Sequence, residues 1–120
     1  ALATSGTVSS EIAMAGTPMV IAYKIDNLSY RLMKPLVTAK YFTMLNLAAD
    51  QEVAGEFIQF DATAEKITPE VLRLLKDPNA AKAQSDRQTQ VLELMGRGGP
   101  NPSELAADAV LNVLEQRRRT

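Results

Sequence analysis

Cysteine and histidine are both missing from this 120-residue chain. Without cysteine there are no disulfides, and without either residue the usual zinc sites and any imidazole base are excluded. Any proton acceptor in a catalytic step must then be a carboxylate of this chain or lie outside it. An excess of either charge is missing too. With 13 cations against 14 anions the net charge is −1, so bulk charge gives no reason to expect nucleic-acid binding. No apolar run reaches the roughly 18 residues that span a bilayer, and no signal-peptide pattern is visible. The chain does not begin with methionine, and Ala1-Leu2-Ala3 reads as the middle of a strand, so a piece of a longer protein is expected.

What is there is a globular composition, 46% apolar, in a length suited to a single core. Ala1 to Thr4 reads as the end of a strand, and Thr7 to Ala15 as a short helix with Val8, Ile12 and Ala15 on one side. Gly16 suits the end of that helix and Pro18 prevents its continuation. Met19 to Tyr23 is a continuous apolar run, which fits a parallel strand covered on both faces. Leu28, Leu32 and Leu36 recur every four residues after Asp26-Asn27 and predict a second helix. Lys40 to Met44 is the third strand candidate. This β-α-β-α-β order predicts an open α/β sheet. The second half reads as helical. Asp77-Pro78 opens a helix that runs to about Met95, and Asn101-Pro102-Ser103-Glu104 opens another through a capping box. Leu105, Ala109, Val113 and Ala106, Val110, Leu114 give this last helix a broad apolar stripe. Pro69 predicts a kink, or a restart capped by Thr68, between Thr63 and Lys76.

Three stretches carry chemistry. In Ser5-Gly6-Thr7 the glycine lets the backbone turn sharply and approach a ligand. The first N–H groups of the helix that follows lack partners and carry the positive end of its dipole, which suits a phosphate. Capping alone accounts for the same residues. Glu11 lies four residues after Thr7, on the same face, and its side chain leans back toward the helix start. A carboxylate there repels phosphate, and its fitting partner is a pair of hydroxyls such as a ribose diol. Attraction to the dipole explains Glu11 as well, at about 0.3–1 kcal/mol.

Residues 23–42 hold Tyr23, Tyr30 and Tyr41 with Lys24, Arg31, Lys34 and Lys40 against the single acid Asp26. The mixture suits a phosphate-bearing ligand or an anionic membrane surface, and also a solvated helix face. Leu45 to Glu52 follows the third strand candidate, and ligands of open α/β sheets bind beyond the carboxyl ends of strands. Asn46 offers donors and an acceptor there, while Glu52 and Glu56 would share a helix face. Arg97-Gly98-Gly99-Pro100 lacks the Lys and Ser/Thr of a nucleotide loop and receives no phosphate role. Arg117-Arg118-Arg119 suits the negative end of its helix.

Ser5-Gly6-Thr7, Glu11 and the run from Ala15 to Lys24 (AGTPMVIAYK) resemble the lipid-A-disaccharide synthase family. That family reads SGT, a Glu four residues later, and a PMVV-type strand ending in Tyr-Arg. Asn46-Leu47, Glu52 and Glu56-Phe57-Ile58-Gln59 are similar to its PNLLAGRELVPELLQ, and Leu74 to Pro78 to its Leu-Leu-x-Asp-Pro. The likeness covers nearly the whole chain. Lys24 stands where the family has Arg, Leu45 for Pro, Asp50 for Gly, Gln51 for Arg, and Ser10 for a common Leu.

The resemblance implies a Rossmann-like half of a two-domain GT-B glycosyltransferase. Residues 1–78 would be a partial donor-binding α/β domain, and the helices of 79–120 would pack on it or be exchanged with a partner. It implies transfer of a diacylglucosamine from UDP to a diacylglucosamine 1-phosphate, with inversion and with no metal or other cofactor. Ser5, Gly6 and Thr7 would lie at the diphosphate, Glu11 at the ribose and Asn46 beside the donor. Tyr23, Lys24, Gln51 and Glu52 would face the cleft or the acceptor. The catalytic base is expected outside this chain, which by itself would be inactive. Acylated substrates imply peripheral attachment to the cytoplasmic face of the inner membrane, with residues 23–42 as the contact. Helix exchange in the family implies a homodimer through residues 79–118. The alternatives are another UDP-sugar enzyme of GT-B type (a peptidoglycan glycosyltransferase or a UDP-sugar epimerase) and a non-catalytic α/β interaction module.

Overall fold

In the computed structural model the described residues are 1–4, 6–33 and 40–118, with the backbone alone at 33 and 118. Ser5, Lys34, Leu36 and Arg119 of the sequence reading lie outside them. The apolar run Val20–Tyr23 forms the middle strand, β2, of a three-stranded parallel sheet. Strand β1 (Leu2–Ala3) pairs with one edge of β2, Leu2 opposite Val20, and β3 (Gly55–Ile58) with the other, Val20 opposite Gly55 and Tyr23 opposite Ile58. Helix α1 (Thr7–Met14) crosses from β1 to β2, and α2 (Asn27–Met33) and α3 (Met44–Ala49) lie between β2 and β3. A 3-10 turn (Gln59–Asp61) leads into α4 (Ala64–Lys76), α5 (Pro78–Leu94) and α6 (Pro102–Arg118). This is the expected α/β arrangement, a Rossmann-like parallel sheet with a helical tail.

Alternation along β2 sends Ile21 to one face, where it packs with Met19, Ala13 of α1, Leu45 of α3, Val53, Ala54, and Val91 and Leu92 of α5. Val20 turns to the other face, where it borders a hollow that Val71, Leu74 and Leu75 of α4 also line. Coverage on both faces is why this strand reads as unbroken hydrophobicity. Within the segment 79–120, α5 therefore shares the core of the sheet.

Four expectations change. The third strand is Gly55–Ile58, not Lys40–Met44. Thr43 instead caps α3, its hydroxyl accepting from the Asn46 N–H at 3.3 Å. Glu52 and Glu56 share no helix face, because Glu56 belongs to β3 and Glu52 to the loop before it. The buried row of α1 is Ser9 and Ala13 rather than Val8 and Ala15. Ser9 tolerates burial because its hydroxyl donates to the Gly6 carbonyl at 2.7 Å. Finally, there is no restart at Thr68, and α4 runs through Pro69 as a single helix. The ring removes the bond to the Glu65 carbonyl, which lies on an exposed stretch where water can take its place.

Other signals appear as read. Gly16 closes α1 at φ 68°, and the N–H groups of Gly16 and Thr17 reach back to the carbonyls of Ala13 and Ile12. Asp77 caps α5 through Asn79 and Ala80. Helix α6 stands apart, since Leu105, Val110, Leu111, Val113 and Leu114 are each more than half exposed. The chain's radius of gyration is accordingly 18.3 Å, against about 13–14 Å for a compact domain of this length.

Candidate functional site at the carboxyl edge of the sheet

Because the three strands are parallel, their carboxyl ends share one edge of the sheet, the edge at which open α/β folds place ligands. The turn after β1 opens there. Gly6 is the residue before α1, at φ 137°, a conformation that side-chain-bearing residues rarely adopt, although a Cβ would meet nothing within 4 Å. Glycine is thus required by the backbone path. It also has no side chain with which to cap the helix. No acidic residue occupies the first turn. Thr7 and Glu11 are exposed one turn apart, and the Glu11 carboxylate has no hydrogen-bond or ionic partner among the described residues.

The neighbouring strand delivers Tyr23 and Lys24 to the same edge, both exposed. The next residue, Ile25, is held by Gln59. Gln59 Oε1 accepts from the Ile25 N–H at 3.1 Å, and its Nε2 donates to the Ile25 carbonyl at 2.9 Å and to Asn27 Oδ1 at 3.1 Å. Asp26 then caps α2, accepting from the N–H groups of Leu28 and Ser29 at 3.1 and 2.9 Å. Hydrogen bonding from the Ser29 side chain, and then from its backbone, holds the Asp26 carboxyl below its ordinary range.

Asn46 and Glu56 form a second, interior cluster. Asn46 is fully buried. Its Oδ1 accepts from the N–H groups of Val53 and Ala54 at 2.7 and 3.0 Å, and its Nδ2 donates to the Ala54 carbonyl and to Glu56 at 2.8 Å each. Glu56 also accepts from the Phe42 and Thr43 N–H groups at 2.8 Å each and from the Thr43 hydroxyl at 2.6 Å. Both donors and both acceptor positions of the Asn46 amide are engaged by protein. Asn46 therefore ties α3 to the strand that follows it.

Gln51 and Glu52 precede β3 and lie toward the amino edge of the sheet, away from Gly6 and Lys24. Glu52 lines a hollow of about 220 Å³ with Gly55, Glu70, Arg73, Gln84 and Arg87. The Arg87 guanidinium donates to Gln51 Oε1, so α5 supplies a cation beside the position where the resembling family has arginine. Asp50 ends α3 at φ 47°, in the left-handed region, which accounts physically for a glycine at that position in the family pattern. Asp50→Gly is expected to raise stability by roughly 0.5 kcal/mol, relief of strain outweighing the added chain entropy. Urea unfolding of the two proteins measures this directly.

The structure thus brings Gly6, Thr7, Glu11, Tyr23 and Lys24 toward one edge, buries Asn46 as a tie, and separates Gln51 and Glu52 from them. The latches at Gln59 and Glu56 were missed. Glu56-Phe57-Ile58-Gln59 was legible only as part of a motif, and the positive φ of Gln59 (55°) leaves no trace in residue type.

A family model described as lipid-A-disaccharide synthetase matches residues 1–110. Lipid-A-disaccharide synthase of Rhodospirillum centenum is 40% identical over 117 residues, covering 98% of this chain and 29% of that protein. The synthase of Trichlorobacter lovleyi is 41% identical over 115 residues, 96% of this chain and 30% of the relative. That of Bradyrhizobium diazoefficiens is 34% identical over 119 residues, 99% and 30% respectively. The chain spans about three-tenths of the length of these relatives. On this match across nearly its whole length, the chain belongs to the lipid-A-disaccharide synthetase family.

Proposed function

We propose that this chain is the donor-binding part of an inverting glycosyltransferase that joins UDP-2,3-diacylglucosamine to 2,3-diacylglucosamine 1-phosphate. The observation that carries the reading is the start of α1, where Gly6 cannot cap the helix and Glu11, without a partner among the described residues, lies one turn along the same exposed face as Thr7. The helix end, with Ser5, Gly6 and Thr7, meets the diphosphate through backbone N–H groups and dipole, without a metal. Glu11 accepts from the two ribose hydroxyls. Lys24 and Tyr23 complete the wall of the site, and Asn46 keeps the layer beneath it in place. The catalytic base and the acceptor site belong to the rest of the enzyme, so the chain alone binds donor without turnover.

Among the described residues no helix is long and apolar enough to cross a membrane. Acylated substrates favour a peripheral seat on the cytoplasmic face of the inner membrane. Leu28 and Leu32 of α2, 71% and 67% exposed, together with Lys24 and Arg31, form the contact. The bare apolar face of α6 supports a second element of the proposal, a homodimer in which this helix packs on the other subunit.

Titration of UDP into the chain, followed by backbone amide shifts, tests the donor site. Shifts should concentrate at residues 6–11 and 23–25, and an unmoved spectrum at millimolar UDP rejects the reading. Glu11→Ala should weaken UDP by about tenfold, the scale of one charge-assisted contact, while leaving pyrophosphate affinity unchanged. Equal losses for both ligands would remove the diol role.

A further inference from the structure

Register pairs Tyr23 with Ile58, and beyond that rung both strands end. Gln59 turns out of β3 at φ 55°, in the left-handed region, and is only 1% exposed. A buried residue with a side chain keeps such a backbone only where its surroundings hold it there, and such positions cluster at functional sites. What holds it here is its own carboxamide. This group has the donor and acceptor of a peptide unit, and it meets the Ile25 N–H at 3.1 Å and the Ile25 carbonyl at 2.9 Å. A side chain thereby adds one more rung to the β2–β3 ladder after the backbone has left it. Its second N–H reaches Asn27 Oδ1 at 3.1 Å, where α2 begins.

The span from Tyr23 to Asn27 is consequently held at three points. The ladder fixes Tyr23, Gln59 fixes Ile25, and the Asp26 cap with the Asn27 bond fixes the start of α2. Lys24 lies between the first two and is exposed at the ligand-facing edge. Its four-carbon stem is flexible, so the placement of its charge depends on how firmly its backbone is held.

We propose that Gln59 is a positioning residue of the nucleotide-sugar site, holding the loop after β2 so that Lys24 meets the donor's phosphates. The proposal rests on the donor-site reading above and assigns it a residue that touches no ligand. It makes the function of Lys24 conditional on a carboxamide 35 positions away in sequence, counted from residue 24 to residue 59.

Gln59→Gly is the informative variant, because glycine accepts φ 55° without strain, so the carboxamide is removed with no new backbone penalty. Hydrogen exchange should show the Ile25 amide opening at least about tenfold faster, with Val20 to Ala22 still protected. UDP affinity, read by calorimetry, should fall about tenfold. With Gln59 in place, Lys24→Ala should weaken UDP by a similar factor. Combined with Gln59→Gly it should add little, the signature of coupled residues. Gln59→Glu provides the same reading if the glycine variant does not fold. It keeps the acceptor for the Ile25 N–H and loses both donated bonds. Unchanged UDP affinity in these variants, or equal losses from Lys24→Ala with and without the latch, would overturn the positioning role while leaving the donor site intact. Failure of the unmodified chain to bind UDP would overturn both.

Discussion

Asn46→Ala is expected to destabilise the chain by about 3 kcal/mol or more, with a fall in Tm of roughly 10 °C. The substitution leaves the N–H groups of Val53 and Ala54 and the carbonyl of Ala54 without the partners they have now, and removes one donor from Glu56. These groups lie in the interior, so water does not replace what is lost, and a small cavity adds to the cost. Asn46→Asp separates the two halves of the effect. It keeps the acceptor for Val53 and Ala54 but turns a negative oxygen toward the Ala54 carbonyl and the Glu56 carboxylate. It should therefore also be destabilising, and less so at acid pH, where protonation restores a donor. Thermal unfolding of the three proteins decides between a tie and a ligand contact. If Tm stayed constant and only UDP binding fell, Asn46 would be acting on the ligand directly.

The second large effect has the opposite sign. Gln88 is 0% exposed, and neither its Oε1 nor its Nε2 has a partner among the described residues. One turn earlier on the same face, Gln84 is fully used, accepting from the Met19 N–H at 3.1 Å and donating to the carbonyls of Met19 and Val53. One position is a latch and the other is a desolvated amide. Methionine has nearly the same length and flexibility without the polar atoms. Gln88→Met should raise stability by about 1–3 kcal/mol, a gain of several degrees in Tm. Gln88→Ala removes the same polar atoms but leaves a void, so it should fall below the Met variant. A lower Tm for Gln88→Met would mean that the amide is satisfied in solution.

These two residues show where sequence reasoning stopped. The β1-α1-β2 unit was legible because each part has an unambiguous physical signature: an apolar run, a glycine at a helix end, and a proline that blocks continuation. The spacing of Thr7 and Glu11 located one face of the candidate site for the same reason. Strand β3 was misplaced because Gly55-Glu56-Phe57-Ile58 carries an acid and a glycine, whereas Lys40-Tyr41-Phe42-Thr43-Met44 has aromatic and β-branched residues that favour strands. The acid at 56 is there to bind the turn before α3, a tertiary purpose that no local pattern announces. Glutamine is harder still. Gln59, Gln84 and Gln88 have the same local appearance, yet they are respectively a loop latch, a strand latch and an amide with no partner among the described residues.

The choice of amides for these latches has a consequence for how the site responds to its surroundings. A carboxamide neither gains nor loses a proton in the physiological range. Gln59 and Gln84 therefore hold their strands and loops with equal strength on the acid and alkaline sides of neutrality. The chain has no histidine, so no side chain has an ordinary pKa between about 5 and 8. Of the proposed ligands, the esterified diphosphate of a UDP-sugar is fully ionised near neutrality, and only a terminal phosphate, as in free UDP or a sugar 1-phosphate, sheds a second proton at about pH 6. The protein offers a fixed template, so any pH sensitivity of binding near neutrality follows the terminal phosphate of the ligand used, which free UDP has and a UDP-sugar lacks.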